Sequence, residues 1–337
     1  LVHACTDDAE VNAAVAAAAE RRGIWCVRAD DGAGSAAVTP ASGVVDGLSV
    51  AVTASAGTAA DPGRARDVRN NVLSGLRDGT LTAPPRRGHR GRVALVGGGP
   101  GDADLLTLRA ARLLRQADVI VTDRLGPRHM LDELAPGVEV VDVGKVPRGP
   151  GARQEEINRI LVERAQAGQF VVRLKGGDPF IFGRGGEELL ACVDAGVECS
   201  LVPGISSSIS VPELAGIPLT HRGVAQEFIV ASGHLPPGHA GTTVDWAHLG
   251  RSNATLVLLM AVDNLPHITA ALLDGGRPPD TPVACIQDGA MPDERVLVAD
   301  LATVAERAKD ARLAAPAVVV VGEVVRLREQ VLPSLRF

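Results

Sequence analysis

The chain has 337 residues, 46% of them apolar, and a formal net charge of −6. A negative chain with two tryptophans, five phenylalanines and no tyrosine has few stacking platforms, so we exclude nucleic acid as its main partner. No apolar run approaches the ~18 residues of a membrane span, and we predict neither a span nor a signal peptide.

The cysteines are scattered, without a C-x-x-C pair. This pattern favours reduced thiols in a cytoplasmic protein over disulfides or a zinc site, and we predict no metal site. The cysteines concerned are Cys5, Cys26, Cys192, Cys199 and Cys285.

Residues 1–80 are predicted to form a small α/β unit. The strand LVHAC leads to a helix that ends at Gly23, and the strands IWCVRA and GLSVAVTAS and a second helix follow. Alternating strands and helices predict a parallel sheet. Because Leu1 falls inside a predicted strand, we expect a further segment upstream.

Residues 81–91 concentrate proline, glycine and arginine and are predicted to be a linker. Residues 92–203 are predicted to form a second α/β unit and residues 204–337 a third. In the third unit the strand beginning near residue 293 follows its predecessor after a short turn. The third sheet is therefore expected to be mixed, with hairpins.

One segment is unusually rich in glycine and charge. It runs from Arg173 to Glu188, RLKGGDPFIFGRGGEE, between a predicted strand and a predicted helix. Open α/β sheets bind ligands at such strand ends, and glycines allow the backbone to approach a ligand closely. We predict a functional loop here, although a long surface loop would have a similar composition.

A second glycine-rich turn, VGGGPGD, also follows a strand, and Asp123 closes the next strand as an acidic residue does in NAD sites. Asp102 occupies the position where that fingerprint needs a small residue, and it would repel a pyrophosphate. We therefore predict a turn that accepts an uncharged or cationic cofactor.

Asp123 and Lys145 each end a predicted strand, so a parallel sheet would bring them to the same edge. There they could exchange protons with a substrate, or form a structural ion pair; the sequence leaves both open. Asp30 also ends a strand and could be a general base, although a turn or cap aspartate is the commoner role.

Cationic side chains are concentrated on predicted loops and element ends. In a chain of negative charge this suggests a ligand that carries several carboxylates, although isolated solvated side chains are the alternative. The residues are Arg124, Lys145, Arg148, Arg153, Arg173, Lys175, Arg184, His221 and Arg222.

The motifs VGGGPGDADLLTLRA, TDRL, VGK, QEEIN, VVRLKGGDPFIFGRGGEE, VPGIS, GIPLTHRG and SGH closely resemble those of the uroporphyrinogen-III C-methyltransferases. The resemblance covers about residues 92–330. Residues 1–80 resemble the later part of a precorrin-2 dehydrogenase/ferrochelatase module, and the whole resembles the fused siroheme synthases.

The resemblance implies a tetrapyrrole methyltransferase fold of two α/β subdomains with the active site in the cleft between them, preceded by a partial Rossmann-like module. It implies methylation of uroporphyrinogen III at two ring carbons by S-adenosylmethionine, giving precorrin-2 for siroheme synthesis, with cobalamin synthesis left open. It also implies a homodimer, and NAD as a cofactor only where the upstream segment is present.

The resemblance also assigns roles to residues. Asp123 matches a proton acceptor, Lys145 a proton donor, and Asp30 the aspartate of dehydrogenation and chelation, while Ser55 matches approximately a serine of the same pocket. The tetrapyrrole carboxylates would bind Arg124, Arg173, Arg184, His221 and Arg222. The cofactor positions are Pro100, Gly176, Gly177, Asp178, Ile181, Ser206, Ser207, Met260 and Gly289.

Two other functions remain open at the level of sequence. One is a methyltransferase of the same fold that acts on a later corrinoid precursor. The other is a regulatory module that binds the cofactor without turnover.

Overall fold

The structure is a computed structural model, and it describes residues 1–32, 34–53, 61–81, 91–123, 131, 138–144 and 153–334. The chain divides into two compact units, Leu1–Pro85 and Arg86–Phe337. Across these described ranges, no helix has both the length and the apolar character needed to cross a membrane.

The N-terminal unit begins with a β-α-β motif whose two strands are parallel. Asp8 starts its helix, because its carboxylate accepts hydrogen bonds from the backbone N–H groups of Glu10 and Val11. The elements of the unit are β1 (Val2–Ala4), α1 (Ala9–Glu20), β2 (Cys26–Arg28), β3 (Ala41–Val45), β4 (Leu48–Val52) and α2 (Pro62–Asp78).

The single parallel sheet predicted for this unit is wrong in part. β3 and β4 form a separate antiparallel hairpin, and β3 was not predicted as a strand. Asp46 and Gly47 join the two strands with φ values of 49° and 77°. A two-residue turn with positive φ at both positions matches the twist of a hairpin, and Asp-Gly is a favoured sequence for it.

The first half of the C-terminal unit is a five-stranded sheet in which every neighbouring pair is parallel, in the order β7-β6-β8-β5-β9. Helices cover both faces, so the inner strands are almost wholly apolar. The elements are β5 (Arg92–Gly97), α3 (Leu108–Gln116), β6 (Val119–Thr122), β7 (Glu139–Asp142), α4 (Gln154–Gln166), β8 (Phe170–Lys175), α5 (Gly185–Asp194) and β9 (Glu198–Val202).

The second half contains another five-stranded sheet, in the order β10-β11-β14-β12-β13. β10 and β11 are parallel and the other pairs are antiparallel, which confirms the predicted mixed sheet. The elements are α6 (Ser207–Leu214), β10 (Phe228–Ser232), α7 (Trp246–Arg251), β11 (Thr255–Leu259), α8 (Leu265–Asp274), β12 (Pro282–Gln287), β13 (Arg295–Asp300), α9 (Val304–Asp310), β14 (Ala317–Val321) and α10 (Arg328–Val331).

Strand direction decides which loops meet. In the parallel sheet the carboxyl ends of all strands lie at one edge. In the mixed sheet β14 is antiparallel to both β11 and β12, so β11 and β12 run in the same direction and also end at a common edge. These two edges carry most of the predicted site residues of the C-terminal unit.

Candidate active site

The connections that follow β5 and β8 are joined by backbone hydrogen bonds. The Gly98 N–H donates to the Lys175 carbonyl at 2.7 Å, and the Gly177 N–H donates to the Gly99 carbonyl at 2.7 Å. Gly99 and Gly177 have φ values of 69° and 65°, which residues other than glycine rarely adopt. The two predicted glycine segments therefore form one structure, with Pro100 and Gly176 within it.

Three glycines pack backbone against backbone at this edge. A Cβ atom at Gly97 would lie 2.7 Å from the Gly177 carbonyl oxygen, and a Cβ at Gly204 would lie 2.7 Å from Gly97 Cα. Real Cβ atoms do not approach this closely, so the turns after β5, β8 and β9 can meet only where side chains are absent.

The carboxylate of Asp178 stabilises this packing of glycine backbones. It accepts hydrogen bonds from the Gly204 N–H at 3.0 Å and from the Phe180 N–H at 2.8 Å. Asp178 was predicted to bind a cofactor, and in the structure it holds the backbone that surrounds the glycines. The neighbouring Ile181 is exposed, with 44% of its surface accessible.

Ser206 and Ser207 lie at the start of α6, directly beside Gly177. Ser206 caps the helix by accepting from the Ser208 N–H, and a Cβ atom at Gly177 would lie 3.5 Å from the Ser207 backbone nitrogen. The backbone nitrogen of Ser207, the first residue of α6, thus lies beside the turn that contains Gly177.

The edge of the mixed sheet contributes Met260 after β11 and Gly289 after β12. Met260 has a φ of 56°, and the residues on either side of Gly289, Asp288 and Ala290, have φ values of 49° and 67°. Such strained backbone in residues other than glycine concentrates at ligand sites.

Two contacts connect this edge to the glycine turns. Gly101 faces Met291 so closely that a Cβ atom would meet its sulfur and lie 3.4 Å from its Cγ. Gly289 faces α6 in the same way, and a Cβ there would meet Val211. Contacts therefore link the turns after β5 and β8 and the start of α6 with the turn after β12. These segments carry most of the predicted cofactor positions.

Asp123 lies at the end of β6, where it was predicted. Its Oδ2 accepts a hydrogen bond from Arg173 Nη2 at 2.9 Å, and the Asp123 side chain is 28% exposed. The neighbouring β8 alternates, with Val172 and Leu174 in one core cluster and Val171 in the other. Arg173 and Lys175 lie on the same face of β8 as Val171, because alternate residues of a strand share a face.

Arg173 and Lys175, predicted on loops or element ends, lie at the end of β8, so the loop begins at Gly176 and not at Arg173. Both lie within β8 and are buried, with 2% and 4% of their surfaces exposed. Both bind the fully buried Glu188 of α5: its Oε1 accepts from Arg173 Nε at 3.0 Å and from Lys175 Nζ at 2.9 Å. Burial, and then the nearby charge of Arg173, lower the pKa of Lys175, while Glu188 acts in the opposite direction.

The other predicted substrate ligands are not assembled with this cluster. Arg184 is exposed and forms a bidentate ion pair with Glu187, with bonds of 2.8 and 2.7 Å. His221 and Arg222 lie in an exposed turn closed by pairing between His221 and Ala225. Within the described part of the chain, no hydrogen bond joins these three residues to Asp123 or Arg173.

Several predicted residues lie outside the described part of the chain: Arg124, Lys145, Arg148 and Ser55. Arg153 is described and directly precedes α4. Among the described residues, no group of three or more His, Cys, Asp or Glu side chains is arranged to hold a metal ion.

Asp30 in the N-terminal unit follows β2 and is ion-paired. Its Oδ2 lies 2.6 Å from Arg28 Nη2, and this hydrogen bond lowers the pKa of Asp30. The structure thus places Asp30 at a strand end, as predicted, with its charge balanced by Arg28.

Glu188 is the main residue that sequence reasoning missed. The sequence places it only at the end of the predicted glycine-rich loop. Its spacing from Cys192, one helical turn later, could have placed it on the buried face of α5, where both residues are fully buried. Gly97 and Gly204 were also missed, because close backbone packing leaves no periodic signal.

The sequence profile of the tetrapyrrole (corrin/porphyrin) methylases matches residues 92–305, and a profile of NAD(P)-binding domains matches residues 1–41. An S-adenosyl-L-methionine-dependent uroporphyrinogen III methyltransferase of Methanosarcina barkeri is 45% identical over 242 residues, covering 72% of this chain and 95% of that protein. A siroheme synthase of Thiobacillus denitrificans is 43% identical over 268 residues, covering 80% of this chain and 55% of that protein.

Among solved structures, the uroporphyrin-III C-methyltransferase of Thermus thermophilus in complex with S-adenyl homocysteine superposes with a TM-score of 0.60. It is 46% identical and covers 70% of this chain and 100% of that one. These matches confirm the predicted methyltransferase fold. From residue 92 onwards, the chain belongs to the family of tetrapyrrole (corrin/porphyrin) methylases.

Proposed function

We propose that this chain transfers methyl groups from S-adenosylmethionine to two ring carbons of uroporphyrinogen III, forming precorrin-2. The observation that carries the proposal is the chain of contacts through Gly101, Met291, Gly289, α6 and Gly177, with Asp123 one strand from the glycine turns. Relatives of high identity that are named for this reaction support the same conclusion.

The residues present suit a cationic cofactor. Gly99 and Gly177 present uncharged backbone, and the turns themselves, residues 97–102 and 176–178, contain no arginine or lysine that would repel a positive charge. When bound, the cofactor supplies an electrophilic methyl group. The chain's own contribution is to hold that group and the electron-rich pyrrole carbon in line, and to accept a proton from the methylated ring at Asp123.

The reaction predicts a defined product. Anaerobic incubation of the protein with uroporphyrinogen III and S-adenosylmethionine should give a tetrapyrrole heavier by two CH2 units, because each methyl group added is accompanied by the loss of one proton; mass spectrometry measures this. Uroporphyrinogen III incubated with S-adenosylmethionine in the absence of protein is the control for chemical methylation. An unmodified substrate, with cofactor binding intact, would instead support the module that binds without turnover.

Asp178 offers a test of the cofactor site. Asp178→Ala removes the acceptor of the Gly204 and Phe180 N–H groups, so the turns after β8 and β9 should lose their fixed positions. We expect the dissociation constant of S-adenosylmethionine to rise about 10- to 100-fold, which corresponds to the loss of one or two charge-assisted hydrogen bonds. Calorimetry measures this, and Asp194→Ala on the exposed end of α5 is the control.

We also propose that the N-terminal unit belongs to a module for NAD-dependent dehydrogenation of precorrin-2 and for metal chelation, in which Asp30 takes part. The match of residues 1–41 to NAD(P)-binding domains and the position of Asp30 after β2 support this. A cytoplasmic homodimer is the proposed setting, and five free thiols are consistent with a reducing compartment.

A further inference from the structure

A chain of ionic contacts runs from the interior of the parallel sheet to Asp123. Three donors converge on one oxygen of Glu188: Arg173 Nε at 3.0 Å, Lys175 Nζ at 2.9 Å and Gln154 Nε2 at 3.3 Å. Arg173 then extends to Asp123 at 2.9 Å. Glu188, Arg173 and Lys175 are buried, and Asp123 is the member that reaches solvent.

The guanidinium of Arg173 has little freedom. Its Nη1 donates to the carbonyl oxygens of Leu174 at 2.9 Å and Val121 at 3.4 Å, and its Nε donates to Glu188. Because a guanidinium is planar, fixing Nε and Nη1 also fixes the direction of Nη2. That remaining group points at Asp123.

Stability alone does not explain this arrangement. Buried ion pairs contribute little net stability, and apolar side chains of similar volume often serve a core as well. The apolar rows of β5, β6 and β8 show that this sheet can be filled with valine and leucine. In addition, the second oxygen of Glu188 is buried without a hydrogen-bond partner among the described residues, so Glu188 is held by a single oxygen.

We propose that Glu188 is a positioning residue, which fixes Asp123 in its orientation for proton transfer by fixing Arg173. This inference rests on the proposed methyl transfer, since Asp123 acts in that reaction. Glu188 Oε1 performs this role by accepting from Arg173 Nε. The negative charge of Glu188 also balances the buried ammonium of Lys175.

The test removes the Glu188 carboxylate, which accepts from Arg173, together with the Lys175 ammonium, which would otherwise be left without its counter-charge. Glu188→Leu combined with Lys175→Met keeps the site filled and neutral, so the fold should persist, which thermal unfolding checks. We expect kcat for methyl transfer to fall about 100-fold, as small misplacements of a reacting group do, with the dissociation constant of S-adenosylmethionine unchanged. Glu188→Gln combined with Lys175→Met retains an oxygen for Arg173, leaves no charge unpaired, and should lose less than about 10-fold.

A double-mutant cycle separates positioning from a general structural effect. If Glu188 acts through Asp123, Glu188→Leu with Lys175→Met should cost little further activity once Asp123 is asparagine. Glu163→Gln, on the exposed face of α4, is the control and should match the wild type. An equal loss in both backgrounds would overturn the proposal.

A crystallographic readout is independent of activity. In the variant with Glu188→Leu and Lys175→Met, the contact between Arg173 Nη2 and Asp123 Oδ2 should be lost or visibly lengthened from its 2.9 Å. An unchanged contact would refute the positioning role even if the wild-type protein showed no methyl transfer. Absence of methyl transfer by the wild type would refute the proposed function separately.

Discussion

Asp123→Asn is expected to lower kcat for methylation of uroporphyrinogen III by about 10²- to 10⁴-fold, the usual contribution of a positioned general base. Asparagine has the same size and keeps an oxygen for the bond from Arg173 Nη2, so the geometry of the site should survive. An amide cannot accept the proton that leaves the methylated ring, so the chemical step alone should slow.

The affinity for S-adenosylmethionine should stay at its wild-type value in Asp123→Asn, because the proposed cofactor positions lie on the turns after β5, β8, β11 and β12. Single-turnover kinetics measures the chemical step and calorimetry measures the affinity. Asp194→Asn, an exposed position at the end of α5, is the matched control. Weaker cofactor binding with an intact kcat would show that Asp123 has been assigned the wrong role.

Gly204→Ala should produce a large loss of stability. The added carbon would lie 2.7 Å from Gly97 Cα and would also meet the Gly177 carbonyl oxygen. All of these neighbours are backbone atoms of strand ends, which cannot move aside as a flexible side chain could. We expect the free energy of unfolding to fall by about 3 kcal/mol, at the upper end of overpacking effects.

Gly186→Ala is the matched control for this substitution, because a Cβ atom there would meet nothing within 4 Å. Gly186 lies within α5, where alanine is the better helix former by about 1 kcal/mol, so the two substitutions should have opposite signs. Urea unfolding of the C-terminal unit gives both values. If Gly204→Ala were as stable as Gly186→Ala, the three turns would not be closely packed.

The order of strands and helices after residue 92 follows from the sequence because apolar runs such as FVVRL and ATLVLLM are bounded by glycine and polar turns. The mixed sheet was predictable for the same reason, since only a short turn separates β12 from β13. The hairpin of β3 and β4 was missed although Asp46-Gly47 signals it, because β3 is half exposed and has a weak apolar pattern.

The site was predictable where its chemistry lies at strand ends, as for Asp123. It was not predictable where charges are buried. Arg173 and Lys175 resemble loop cations in sequence, and only the pairing of β6 with β8 and the packing of α5 bring them to Asp123 and Glu188. Such pairs depend on residues far apart in the chain, and local periodicity carries no information about them.

The position of β5 in the parallel sheet has a consequence for folding. β5 lies between β8 and β9, so Arg92 pairs with Phe170 on one side and with Glu198 on the other. Its hydrogen bonds can form only after both later strands are available. Pairing between such distant segments raises contact order and slows folding. During synthesis, β5 therefore leaves the ribosome well before its partners, with its apolar row VALV exposed until β8 and β9 arrive.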